Sequence, residues 1–300
     1  MILNRILYIL LSLCLVFNTN AQVTGASFHG ALHTPASGGG GGGCGDADAN
    51  AYLAEVNTQS GITITPTVET AFCDFYTNAK AHGYYGDLNG GFFFAWADAN
   101  GNAVNMITPG SAAASFTGSP THGAGGISTN GSSQFVNSGL APSLSTQNSS
   151  GMSVYVASQN TPTGTYAGCR NTSSRGFNLT GTPPDVPNGH PTGQITASVN
   201  NALGFGFVAS SEHNGLITAN RVASTDFDVY DDGAHVGNRV TSSATTVTQP
   251  IYIGAHNNNG SPNAYKNATF LLFFQHDGMT ATEIADFSAD VAQLKSDLGL

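Results

Sequence analysis

The last fifty residues constrain this chain most. Ile251-Tyr252-Ile253-Gly254-Ala255 reads as a buried strand, His256 to Tyr265 as an Asn- and Gly-rich loop, and Ala268 to Phe274 as a second apolar strand. A helix follows. Thr280 is a good N-cap, and Glu283 three residues later completes a capping box. Ile284, Phe287, Val291, Leu294 and Leu298 then make one apolar stripe at spacings of three and four. The strand before the helix, Thr269-Phe270-Leu271-Leu272-Phe273-Phe274, is apolar at nearly every position, as in a strand covered on both faces. A helix lying over one face of a β-sandwich satisfies both patterns.

The same reading extends back along the chain. Gln22 to Gly45 is a leader, and its Gly38 to Gly43 run is a flexible tether. A helical section spans 46–83. Asp46 or Asp48 caps a helix carrying Tyr52, Leu53 and Val56 that ends near Gly61. Thr65 caps a second, with Pro66 at its first position, where a missing N–H costs nothing. Val68, Phe72, Phe75 and Ala79 repeat at helical spacing and Gly83 stops the helix. From Tyr84 the texture changes to short strands separated by turn signals. These are Phe92 to Trp96, Ser153 to Ala157, Tyr166 to Cys169, Gly176 to Leu179, Gln194 to Val199, Leu203 to Ala209, Leu216 to Val222 and Phe227 to Tyr230. Asp231-Asp232-Gly233 predicts a hairpin turn, because Asp-Gly supplies the positive φ angles such turns need. Residues 84–300 therefore predict a mainly β sandwich with a C-terminal helix.

Only 9% of residues are charged, while Gly alone numbers 38. Such a chain solvates itself with neutral polar groups, a habit of extracellular all-β proteins, and its 40% hydrophobic content is enough for a core. A net charge of −10, with eight Lys and Arg scattered singly, excludes a basic nucleic-acid surface. Met1 to Ala21 reads as a secretory signal: Arg5, an apolar stretch from Ile6 to Phe17, and Thr19-Asn20-Ala21 before cleavage at Gln22. That apolar run is too short to span a bilayer comfortably, and no other stretch is long enough. The expected localisation is secreted or at the cell surface. Three cysteines follow the signal, Cys44, Cys73 and Cys169; the first two could meet, and their spacings match no zinc or redox motif.

The segment Phe227-Asp228-Val229-Tyr230-Asp231-Asp232-Gly233-Ala234-His235-Val236-Gly237 resembles the strand–turn–strand of concanavalin A-like, laminin-G-like domains. Ile251 to Ala255, the Asn/Gly loop and the Phe-rich strand plus helix are similar to the close of a subgroup of that superfamily. Ser115 to Gly118 and Asn130 to Val136 are similar to its opening strands. The resemblance covers roughly residues 46–300. It implies a jelly-roll sandwich of two antiparallel sheets and a binding or structural role on a bacterial surface or in a bacteriophage virion. It carries over no catalytic residue.

Glycosidic hydrolysis usually takes two carboxylates facing one cleft. Between Tyr84 and Gln275 the only glutamate is Glu212; Asp226 and Asp228 alternate but adjoin the predicted hairpin. A Ca²⁺ ion would take oxygens from Asp226, Asp228, Asp231 and Asp232, and a solvated turn accounts for the same residues more simply. No other cofactor is indicated. Sugars are held by planar amides beside an aromatic ring, which singles out His256, Asn257, Asn258, Asn259 and Tyr265, with Trp96 or Tyr230 as a further platform. The plain alternative is that Asn and Gly are what a tight loop requires. The expected function is a non-catalytic binding or structural module, adhesive through a glycan or a surface protein. A virion component and a glycoside hydrolase are the alternatives.

Overall fold

Two capped helices open the computed structural model, which describes residues 44–161, 163–171, 176–181, 194–201, 206–211 and 214–300. The expected signal, nearly all of the leader and Glu212 lie outside the described residues. Helix α1 (Ala47–Ser60) starts at Asp46, whose carboxylate accepts from the Asp48 and Ala49 amides, and ends at Gly61 in the left-handed region. Helix α2 (Pro66–Ala81) starts at Thr65, with Pro66 at its first position as the sequence predicts. A Cys44–Cys73 disulfide ties the start of α1 to the middle of α2, a pairing that sequence reasoning left open, while Cys169 is free and buried. Lys80 adds ion pairs to Asp46 and Asp48.

The strands follow: β1 (Leu88–Phe93), β2 (Ser115–Thr117), β3 (Thr121–Gly123), β4 (Gly126–Ser128), β5 (Phe135–Asn137), β6 (Ser150–Gln159), β7 (Gly164–Arg170), β8 (Gly176–Gly181) and β9 (Gln194–Asn201). Then come β10 (Gly206–Ser211), β11 (Gly215–Arg221), β12 (Asp226–Asp231), β13 (Ala234–Val240), β14 (Tyr252–Ile253), β15 (His256–Asn258), β16 (Ser261–Asn263) and β17 (Ala268–His276). A one-turn helix, α3 (Ala99–Asn102), lies between β1 and β2, and α4 (Ala281–Asp297) closes the chain. Sheet I runs β13-β12-β11-β6-β17-β4-β3, with β1 also paired to β17. Sheet II runs β10-β9-β8-β7-β14-β5-β2, with β15 alongside β7 and β16 alongside β15. The predicted mainly β sandwich, with helices before and after it, is therefore observed. All described pairings are antiparallel except that of β15 with β7.

The inner faces of the sheets meet in one core, where Phe92, Val154, Ile217 and Phe273 of sheet I face Tyr166, Phe177, Leu179 and Ile195 of sheet II. The outer face of sheet I is apolar as well. Phe93, Leu216, Tyr230, Leu271, Leu272 and Phe274 pack there against Tyr52, Phe72, Phe75, Ile284 and Phe287 from the helices. Strand β17 is apolar from Phe270 to Phe274 because it serves both cores, Phe270 and Phe273 inward, Leu272 and Phe274 toward the helices. Burying each such side chain stabilises the fold by about 1.5–3 kcal/mol. The capping box of α4 is formed by Thr280 and Glu283, as expected. Asp290 fixes the helix further: its Oδ2 accepts from the Tyr84 hydroxyl at 2.7 Å and lies 2.9 Å from His82 Nδ1.

Candidate functional site on the outer face of sheet II

Opposite the helices, the outer face of sheet II is built from short polar side chains. Along β7, β8 and β9 the alternation that sends Cys169, Phe177, Leu179 and Ala197 into the core sends Gly168, Asn178, Thr180, Thr196 and Ser198 outward. Two lateral rows result. In one, Thr165 Oγ1 lies 3.3 Å from Thr180 Oγ1, and the Thr196 hydroxyl donates to the Thr180 carbonyl at 3.1 Å. In the other, His256 of β15, Gly168 of β7, Asn178 of β8 and Ser198 of β9 stand side by side in register.

Gly168 is what lets the second row close. A Cβ there would lie 2.5 Å from Asn178 Cβ and 3.1 Å from His256 Cδ2, so both side chains lean over the bare backbone. Asn178 is 3% exposed and His256 7%. Asn178 Oδ1 and His256 Nε2 nevertheless have no hydrogen-bond partner among the described residues. Leaving a buried polar atom unpaired costs about 1–3 kcal/mol, and most such atoms in proteins are satisfied. Burial pushes the His256 pKa down to about 4, the Arg170 guanidinium adds to that, and the Asn263 side chain and Cys169 backbone pull partly against it. The ring is therefore neutral at pH 7.

An aromatic cluster adjoins this row. Tyr252 pairs with Gly168 across the ladder, and its ring stacks on Phe135 with centroids 4.4 Å apart. Tyr265 lies on the same cluster, 6.4 Å from Phe135. Beyond Gly168 on β7, Arg170 is exposed, and its Nε donates to Asn258 Oδ1 at 2.6 Å. In the described strands of sheet II no residue is Asp or Glu; the strand carboxylates belong to sheet I.

The structure divides the residues that sequence reasoning grouped together. His256 and Tyr265 reach this face. The segment expected to be a loop is instead the β15–β16 hairpin, so Asn257 is not an exposed amide. It is fully buried, its Nδ2 donating to the Pro250 carbonyl at 2.8 Å and its Oδ1 accepting from the Gly260 amide at 2.7 Å. Asn258 is half-buried and orients Arg170. Asn259 is exposed at the tip with φ 51°, the left-handed conformation that Asn tolerates in turns. Trp96 and Tyr230 belong to the helix side. Trp96 stacks on Phe72 at 5.4 Å and donates from Nε1 to the Tyr52 hydroxyl, while Tyr230 is 5% exposed beneath the helical layer. Neither can serve as a platform beside His256. Asp226 to Gly233 form the predicted hairpin, with Asp232 and Gly233 at φ 46° and 81°. There Asp228 lies 3.1 Å from His235 Nε2, and Asp232 accepts from the Leu216 amide.

A serine–histidine pair also exists, Ser153 Oγ to His276 Nε2 at 3.1 Å, but both residues are fully buried in sheet I. His276 passes its other nitrogen to the Asp277 carbonyl, and burial holds its pKa down at about 4. Ser153 Oγ also lies 2.8 Å from Thr218 Oγ1, so the polar atoms of this pair are satisfied within the fold, unlike Asn178 Oδ1 and His256 Nε2. A groove of about 380 Å³ between α1 and α2, lined by residues including Leu53, Ile64 and Glu69, contains none of the sequence-predicted residues.

Neither a protein family nor a curated protein sequence matches this chain. Among solved structures, a Trypanosoma rangeli sialidase bound to 2,3-difluorosialic acid is similar, with TM-score 0.50 and 15% identity over 83% of this chain and 38% of that one. Domain 4 of an extracellular arabinanase from Geobacillus stearothermophilus gives 0.42 and 14%, over 67% of this chain and 98% of its own. A Ruminococcus gnavus carbohydrate-binding module with bound sialyllactose gives 0.33 and 10%, over 47% and 82%. At these identities the sialidase likeness speaks for the fold alone, and the chain spans well under half of that enzyme's length.

Proposed function

We propose that this chain is a non-catalytic glycan-binding module of the concanavalin A-like kind, exported and displayed at a surface. The observation that carries the reading is the pair of unpartnered atoms, Asn178 Oδ1 and His256 Nε2, beside the stacked Phe135 and Tyr252 rings on the outer face of sheet II. A carbonyl oxygen can only accept, so its missing partner must be a donor. A sugar hydroxyl donates and accepts, which also suits either tautomer of a neutral imidazole, while the apolar faces of sugar rings suit an aromatic neighbour. The lack of Asp and Glu in the described strands of sheet II supports binding without cleavage, since this face supplies no carboxylate pair.

The test is a glycan array on the full chain, followed by a reducing-sugar assay on whatever binds. The expected result is retention of at least one glycan and no new reducing ends. Release of reducing sugar by pure protein would overturn the non-catalytic half of the reading. An array with nothing bound would overturn the glycan half and transfer the role to a protein partner, on a bacterial surface or in a virion.

A further inference from the structure

Cations are scarce in this chain, and most of the described ones are committed. Lys80 pairs with Asp46 and Asp48. Arg221 is buried and spends its guanidinium on the carbonyls of Val199, Ala223 and Thr241. Lys266 is buried with its ammonium on the Thr161 carbonyl, and Lys295 donates to the Tyr155 hydroxyl. Arg170 and Arg239 differ: both are exposed, and among the described residues neither has a carboxylate partner, but Arg239 stands on β13 of sheet I and only Arg170 stands on sheet II. The Arg170 hydrogen bond from Nε to Asn258 Oδ1 at 2.6 Å fixes the plane of the guanidinium, and among the described residues the two terminal nitrogens have no further partner.

Its position gives that freedom a meaning. Arg170 is two residues from Gly168 on β7, so it shares the outer face of sheet II, and Asn258 stands beside it as His256 stands beside Gly168. The chain as a whole carries −10, which would repel an anion, but the described strands around Arg170 hold no Asp or Glu. We infer that the ligand of this face is an acidic glycan: its carboxylate is taken by the Arg170 fork, and its hydroxyls satisfy Asn178 Oδ1 and His256 Nε2. A carboxylate matches the parallel N–H bonds of a guanidinium, and the unpartnered amide oxygen one row away calls for a hydroxyl on the same molecule. Sugars that carry both groups are uronic and sialic acids. Asn258 is then a positioning residue, acting through Arg170 rather than on the sugar.

This inference rests on the glycan-binding reading, and its test keeps the two apart. The full chain is titrated with uronic and sialic acid oligosaccharides and with their methyl esters, which keep the hydroxyls and lose the charge. The acid should bind about ten-fold or more tightly than its ester. Arg170→Gln should abolish that preference and Arg170→Lys should restore only part of it, because an ammonium lacks the fork. Thermal melts of both variants should match the parent, since the side chain is exposed. Equal affinity for acid and ester, or an Arg170→Gln variant that binds the acid undiminished, would overturn the acidic-glycan inference and leave glycan binding standing. Failure of the parent chain to bind any sugar, charged or neutral, would overturn both.

Discussion

The two sheets of this sandwich each carry a glycine on the outer face, and the residues leaning over it differ in kind. On sheet I a Cβ at Gly91 would lie 2.2 Å from the ring of Phe274, and the helical layer seals that ring from above. On sheet II a Cβ at Gly168 would strike Asn178 and His256. In the first case the bare backbone admits an aromatic ring that is then satisfied by apolar contacts with Phe75 and Phe287. In the second it admits two polar side chains whose outer atoms remain unpaired. An apolar group needs only to be covered, whereas a polar one needs a partner of matching donor or acceptor character. Unpaired buried atoms occur in sheet I as well, at Ser150 Oγ and Gln275 Oε1; the sheet II pair is set apart because both side chains lean over one glycine in a row of buried polar groups.

The largest effect should come from opening the helix-covered side of sheet I. Phe287→Ala removes a ring packed edge-on to both Tyr84 and Phe274, and a buried Phe truncation typically costs about 3–5 kcal/mol. A clear fall in melting temperature, with α4 losing protection in hydrogen exchange, is the expected outcome. An unchanged melt would mean that the helix does not hold sheet I.

Acid should act on both sheets. His276 of sheet I and His256 of sheet II are each held near pKa 4 by burial, while in the unfolded chain they titrate near the ordinary value of 6.5. Between those values the unfolded state binds more protons, so stability is complete above about pH 6.5 and falls as pH drops toward 4. Each ring contributes at most about 3 kcal/mol to that slope. Melts recorded from pH 7 to pH 4 check it, and a flat profile would contradict the burial of the two rings.

A smaller effect belongs to Asn257. Its side chain holds the Pro250 carbonyl and the Gly260 amide, so Asn257→Ala should destabilise by about 1–3 kcal/mol in chemical denaturation. Asn259→Ala at the exposed tip should change stability by no more than about 0.5 kcal/mol. If the two variants behaved alike, the β15–β16 hairpin would be wrong and the sequence-level picture of an open loop right.

That contrast shows which parts of the molecule its sequence discloses. Helix caps are local: Asp46, Thr65 and the Thr280/Glu283 box lie within a few residues of the groups they satisfy, so the order of residues alone reveals them. The two-sided burial of β17 is also local, written in its run of apolar residues. The site is different, because it is assembled sideways. Gly168, Asn178 and His256 come from three strands, and only the ladder brings them together. A signal was present in Phe177-Asn178-Leu179-Thr180, where strict alternation marks one polar face, but it does not say which polar residue lacks a partner. The Asn-rich segment misled for the opposite reason. Its composition suits a turn, yet β14 pairs only with Ala167 and Gly168 of β7, so β15 can pair alongside as far as Arg170, which buries Asn257 and sets His256 beside Gly168.

The central claim is that Asn178 is kept for a ligand and not for the fold, and one variant separates these roles. Asn178→Ala should be made in the full chain, and its melting temperature and its affinity for a glycan selected on the array should be measured on the same preparation. Removing an acceptor that has no partner relieves a desolvation cost, so the free protein should melt at the parent temperature or above it. Glycan affinity should fall about ten-fold or more. A variant that melts several degrees lower while binding the glycan as tightly as the parent would contradict the account.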